Sequence, residues 1–267
     1  MTISNTNKRV RKYPLELLWN SPAFRMIGDI YYVGDKYVSS HLITSEKGHI
    51  LIDTCMPSTG PLILKGVVDI GFNPKDIEYI LITQAHIDHL GSTKLLAKET
   101  GAKICIGEAD REAAEKGSTT KMGLMGYETF KVDLPLVDGD KIIVGDKELH
   151  VYHTPGHTPG CCSLGFHVIY QNREYNGFIF GGAGLNVFEK ENLERGIYGG
   201  TPQDFKQTLD RLEGLEIDVW LGSHPEDNGT FEKHKLLKRE DQPNPYIDLV
   251  GWKNFIRKIR QNLQQFL

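Results

Sequence analysis

The stretch Ile82 to Gly91, ITQAHIDHLG, constrains this chain more than any other, because it closes a strongly apolar run with three groups able to bind a metal ion: His86, Asp88 and His89. A strand end is where layered α/β proteins place their sites. Extended backbone directs His86 and Asp88 to one side, and a turn at Asp88 and His89 brings the three together. Two further histidines stand in comparable settings. His157 lies in HTPGHTPG, residues 153–160, where prolines and glycines fix a tight loop that holds an imidazole at little entropic cost. His224 follows the apolar segment Asp218 to Leu221, in LGSHP. A solvent-facing loop histidine would account for any one of these alone. Together, and far apart in the chain, they point to one metal site assembled by folding, with donor types that suit zinc.

A site gathered from distant loops needs a layered scaffold, and the patterning supplies one. Ile30 to Val33, Leu42 to Thr44 and His49 to Asp53 read as short strands, and Leu62 to Ile70 as a helix stopped by Gly71. Then follow a strand at Ile77 to Thr83, a helix from about Ser92 to Thr100 closed by Gly101, a strand at Lys103 to Ile106 and a helix at Glu108 to Lys116. From Lys141 a second set of strands begins: Lys141 to Val144, Glu148 to His153, Cys162 to Tyr170 and Asn176 to Phe180. A helix at Pro202 to Leu212 leads to a strand at Asp218 to Leu221, and Asp248 reads as the N-cap of a last helix. In that helix Trp252, Phe255, Ile256, Ile259, Leu263 and Phe266 form an apolar stripe for core packing. Two sheet-forming halves, each with helices and with no linker between them, predict a four-layer αββα sandwich of the α/β class. Residues 19–267 are read as this one domain, with 1–18 as an N-terminal extension.

With 39% hydrophobic and 25% charged residues, the 267-residue chain can bury a sizeable core. Its 31 basic and 35 acidic residues leave a net charge of −4, which offers no field to gather nucleic acid or an anionic membrane. No apolar run approaches the roughly 18 residues of a membrane span, and the positive charges of MTISNTNKRVRKYPLELLW precede no apolar stretch. A cytoplasmic protein with a small-molecule substrate is expected, without nucleic-acid or membrane partners; nothing specifies an oligomeric state. The four cysteines Cys55, Cys105, Cys161 and Cys162 read as reduced, buried small hydrophobes rather than a disulfide framework.

The motif around His86, the GHTPG around His157, the ILID ending at Asp53 and the SHP around His224 resemble the metallo-β-lactamase superfamily. Trp19-Asn20, IYYVG at 30–34, GFNPKDI at 71–77 and NPYID at 244–248 are similar to its third lactamase subclass, B3, over roughly residues 19–266. The resemblance implies a metal site at one edge of the sandwich. In the family pattern one metal is held by His-x-His and a later His, and a second by Asp, His and a last His. Here His86 and His157 match the first set, Asp88, His89 and His224 the second, and Asp53 an acid that orients ligands.

Gln84 stands where the pattern has its first histidine. A carboxamide oxygen is neutral and a poor zinc donor beside imidazole, although Gln-containing members of the third subclass are known. The first set is then neutral throughout, so the Asp88 site is expected to be the tighter one. One or two zinc ions are implied, with iron or manganese left open. A second departure is GGAG at 181–184, where glyoxalase II-like and flavodiiron relatives place a bridging aspartate and third-subclass lactamases often a serine. The implied chemistry is hydrolysis: metal-bound hydroxide, oriented by Asp88, attacks the carbonyl of a β-lactam. The alternative is a housekeeping hydrolase of another ester, lactone, thioester or phosphodiester. A nuclease would need a basic groove, and a non-catalytic metal binder is the reading if Gln84 abolishes the first site. Met122, Leu124 and Met125, interleaved with Gly123 and Gly126, are read as a mobile substrate-binding lid.

Overall fold

A computed structural model describes residues 21–117, 126–237 and 243–267. Two sheets carry the architecture. The first has seven strands in chain order: β1 (Phe24–Ile27), β2 (Ile30–Tyr32), β3 (His41–Ser45), β4 (Gly48–Ile52), β5 (Ile77–Ile82), β6 (Lys103–Gly107) and β7 (Leu134–Leu136). Strands β1 to β4 meander antiparallel, and β4 to β7 run parallel. The second sheet comprises β8 (Lys141–Val144), β9 (Lys147–His153), β10 (Cys162–Tyr170), β11 (Arg173–Phe180) and β12 (Val219–Gly222), ordered β12-β11-β10-β9-β8. Only the β11–β12 pair in it is parallel. Gln171 and Asn172, both at positive φ (50° and 60°), make the tight turn between β10 and β11, as a two-residue hairpin requires.

Parallel neighbours need crossovers, and helices provide them. Among the described residues, α1 (Gly60–Asp69) links β4 to β5; α2 (Ile87–Leu90) and α3 (Thr93–Thr100) link β5 to β6; and α4 (Glu108–Lys116) follows β6. On the other half, α5 (Lys190–Glu194) and α6 (Pro202–Leu212) lie between β11 and β12, and α7 (Pro225–Asn228), α8 (Thr230–Leu236) and α9 (Leu249–Leu263) come after β12. Asp248 caps α9, its carboxylate accepting the Gly251 N–H at 2.8 Å.

Strand alternation explains the four layers. Ile50, Ile52 and Leu81 face Val151, Leu164, Ile179 and Leu221 in the core between the sheets. Their neighbours Leu51, Ile80 and Ile82 turn the other way, against Ile63 and Val67 of α1, Leu96 of α3 and Ala114 of α4. Phe178, Phe180 and Trp220 turn outward in the second sheet, onto Phe205 and Leu209 of α6 and Trp252, Ile256, Ile259 and Leu263 of α9. Strands β4, β6 and β12 are thus covered on both faces and read as near-continuous buried runs, whereas β8 alternates between buried and exposed residues. The expected αββα sandwich is the fold. β1 and β7 were not anticipated: each is too short to show alternation, and Pro135 argues against a strand except at a sheet edge, where β7 lies. All four cysteines are free and buried. No helix of the described residues is long and apolar enough to cross a membrane.

Candidate metal centre

The C-terminal ends of β4, β5 and β12 and the β9–β10 loop meet at one edge of the sandwich. Asp53, just past β4 at φ 60°, accepts hydrogen bonds from the Thr83 N–H and hydroxyl, each at 2.7 Å. Its Oδ2 also lies 2.8 Å from His89 Nδ1. That contact fixes the His89 ring and leaves Nε2 buried, without a hydrogen-bond partner, 3.7 Å from Asp88 Oδ2. Across from it, His224 donates from Nδ1 to the Tyr37 carbonyl at 2.8 Å, which turns Nε2 to within 3.6 Å of the same Asp88 oxygen. One donor atom from each of Asp88, His89 and His224 falls within 4.8 Å of the others. The turn expected at Asp88 and His89 is the single helical turn α2, with His86 before its first residue.

His86 and His157 form a neighbouring pair, with ring centroids 4.8 Å apart. His86 Nε2 donates to the Tyr198 carbonyl at 2.5 Å and His157 Nδ1 to the Gly184 carbonyl at 2.6 Å. Burial pushes both imidazoles below their ordinary pKa, so each keeps its one proton on the carbonyl side. The facing atoms, His86 Nδ1 and His157 Nε2, are then two lone pairs 3.0 Å apart. Lone pairs do not hydrogen-bond to each other; a cation between them satisfies both. Gln84 lines the same cleft, its amide donating to the Gly181 carbonyl at 3.3 Å while Oε1 is buried without a partner. Orphaned acceptors at Gln84, His86 and His157, with the unpartnered Nε2 of His89 beside the Asp88 carboxylate, are a donor set that a divalent cation fits.

Electrostatics separate the two groups. Burial opposes protonation of His89, but Asp88 and Asp53 outweigh it and raise its pKa to about 8. Burial likewise opposes ionisation of Asp88, and the surrounding imidazoles His89, His86 and His224 reverse the sign and lower its pKa. The Asp88 group is therefore built around negative charge and the His86 group around neutral donors.

The glycines at 181–184 make room. A Cβ on Gly182 or Gly184 would come within 3.0 Å of the His157 ring, so these positions pack against that imidazole rather than merely ending β11. Asp110 is the residue the sequence reading missed. It is fully buried in the first turn of α4 and accepts from the Ala85 N–H (2.9 Å), Thr158 hydroxyl (2.6 Å), Gly160 N–H (2.6 Å) and Tyr198 hydroxyl (2.9 Å). The available signal was its place on the apolar face of α4, three and four residues before Ala113 and Ala114.

A cleft of about 840 Å³ opens above these groups, lined by Tyr37, Gln84, His86, Asp88, His157 and His224 on one side and by Phe255 and Lys258 of α9 on the other. Met122, Leu124 and Met125, read as a lid, lie outside the described residues.

Solved structures of known proteins share this sandwich. A subclass B3 metallo-beta-lactamase of Bradyrhizobium japonicum superposes with a TM-score of 0.85 at 31% identity, over 92% of this chain and 94% of that one. A class B3 di-zinc metallo-beta-lactamase from an Alaskan soil metagenome does so with a TM-score of 0.80 at 28% identity, over 100% and 98%. An N-acyl homoserine lactonase of Bacillus sp is 28% identical over 154 residues, 49% of this chain and 58% of the lactonase. The chain thus spans less than two thirds of the curated relatives' own length, here as in the other leading matches. Residues 33–168 match the family described as the metallo-beta-lactamase superfamily, and with this sandwich and these strand-end loops the chain belongs to that superfamily.

Proposed function

We propose that the protein is a metal-dependent hydrolase of a cyclic amide, with β-lactam ring opening of the B3 kind as its reaction. The observation that carries the reading is the cluster of Asp88, His89 and His224 donor atoms within 4.8 Å, beside the facing nitrogens of His86 and His157, at the base of a cleft of small-molecule size. Asp88, His89 and His224 hold one ion, zinc by donor type; Gln84, His86 and His157 hold a second more weakly. Divalent zinc there supplies Lewis acidity to the scissile carbonyl and brings the pKa of water towards about 7. Asp53 keeps the His89 ring oriented, and the Tyr37 carbonyl does the same for His224. The Asp88 carboxylate, facing the cleft, orients the attacking water, whose oxygen bonds to the carbonyl carbon while its proton ends on the nitrogen released as the ring C–N bond breaks. No Ser, Cys or Lys nucleophile enters the reaction.

The second reading is hydrolysis of a lactone, thioester or other ester, and the lactonase relative favours it. Both readings expect zinc to load the metal-stripped protein in two steps, with His224→Ala removing the tighter one. A chromogenic cephalosporin assayed beside an acyl homoserine lactone and a thioester separates them. Chelator-sensitive turnover of the cephalosporin supports the first reading; turnover of the lactone or thioester alone replaces it with the second. Loss of the tight step in Gln84→Ala but not in His224→Ala would overturn the ligand assignment.

A further inference from the structure

We propose that Asp110 is a positioning residue for the Gln84, His86 and His157 group, holding its loops in register and supplying the negative charge that this neutral set lacks. The proposal rests on the metal-dependent reading above.

The exit of β5 is gripped from two sides. Asp53 takes the N–H of Thr83, and Asp110 takes the N–H of Ala85 two residues on. The backbone between them is fixed, and Gln84 and His86 line the cleft. Asp110 reaches two more segments with its remaining bonds. Thr158 and Gly160 follow His157 in its loop, and Tyr198, whose hydroxyl donates to Asp110, is the residue whose carbonyl accepts the hydrogen bond from His86 Nε2. A single carboxylate therefore spans three chain segments whose side chains or carbonyls set the His86 and His157 rings. Four donors offset the cost of burying it, and no Lys or Arg neutralises it among the described residues.

Asp53 and Asp110 divide the centre between them. Asp53 touches an imidazole of the acidic group directly, whereas Asp110 touches no ligand candidate and acts through main chain and field. Removal of Asp110 should consequently be felt at one metal position only. A plain structural staple would weaken both positions in step with stability.

The test is zinc titration of metal-stripped wild type and Asp110→Asn, which keeps the shape and one acceptor but loses the charge. Calorimetry reads the two steps, cobalt(II) absorption reads the geometry at each, and thermal unfolding reads stability. The expected result is a weaker step loosened about 10- to 100-fold, the usual scale for a residue supporting ligands, with the tighter step unchanged. Tyr198→Phe removes only one of the four donors and should loosen the same step by less; it carries the test if Asp110→Asn does not fold. Equal loosening of both steps, or no change at the weaker step in the variant that folds, overturns the proposal. Wild type that takes up no zinc overturns the metal reading itself, and is told apart because it fails before any variant is compared.

Discussion

His89 Nδ1 and Asp53 Oδ2 lie 2.8 Å apart with both side chains sealed from solvent, at 1% and 2% exposure. The contact settles which imidazole nitrogen is turned towards Asp88. Nδ1 is engaged, so Nε2 is the atom presented beside Asp88. It also places two carboxylates around one histidine, and protonation of His89 then stabilises the metal-free protein.

The sign of that effect sets a pH window. The folded-state pKa of His89 is about 8, above the ordinary 6.5, so its contribution is complete below about pH 6.5 and is lost as pH rises through 8. The difference amounts to about 2 kcal/mol. His86 and His157 are lowered by burial, so what they contribute is intact above 6.5 and is lost as pH falls below it. Thermal unfolding of the metal-stripped protein should therefore peak near pH 6.5. Asp53→Asn should flatten the alkaline limb and lower stability throughout by about 1–3 kcal/mol through the Thr83 donors. A wild-type Tm constant from pH 6.5 to 8 would show that His89 is not held as a cation.

Gly182→Asp places a carboxylate in the 181–184 segment, where the resemblance implies one for other branches of the superfamily, yet it should not improve this site. Its Cβ would meet the His157 ring at 3.0 Å, a contact that must push the imidazole aside. The cost should be about 1–3 kcal/mol in stability, with weaker loading of the His86 and His157 position. Tighter zinc binding at unchanged Tm would mean that the ring has room to spare.

Gln84→His should tighten the weaker zinc step about tenfold, because imidazole is the better donor. The Gly181 carbonyl loses its amide donor, at about 1 kcal/mol of stability. Titration reads the first effect and unfolding the second. An unchanged weaker step would show that residue 84 does not face the metal.

Much of this protein was determined by local sequence. The bounds of α4, α6, β8 and β10 follow from apolar spacing and their punctuating glycines and prolines, since period and turn chemistry are properties of a few neighbouring residues. His86, Asp88, His89, His157 and His224 were legible as candidates because each stands in a short, stiff loop after a strand. Tertiary structure alone decided how they group. The pairing of His86 with His157, and of His224 with Asp88, depends on where two sheets meet, a contact between residues far apart in the chain. Asp110 shows the limit most clearly. In sequence it is one acid in a charged helix; packing buries it, and burial without a cation forces it to collect its donors from three other segments. The same holds for Gly182 and Gly184, whose part beside the His157 ring appears only once the fold brings that imidazole against them.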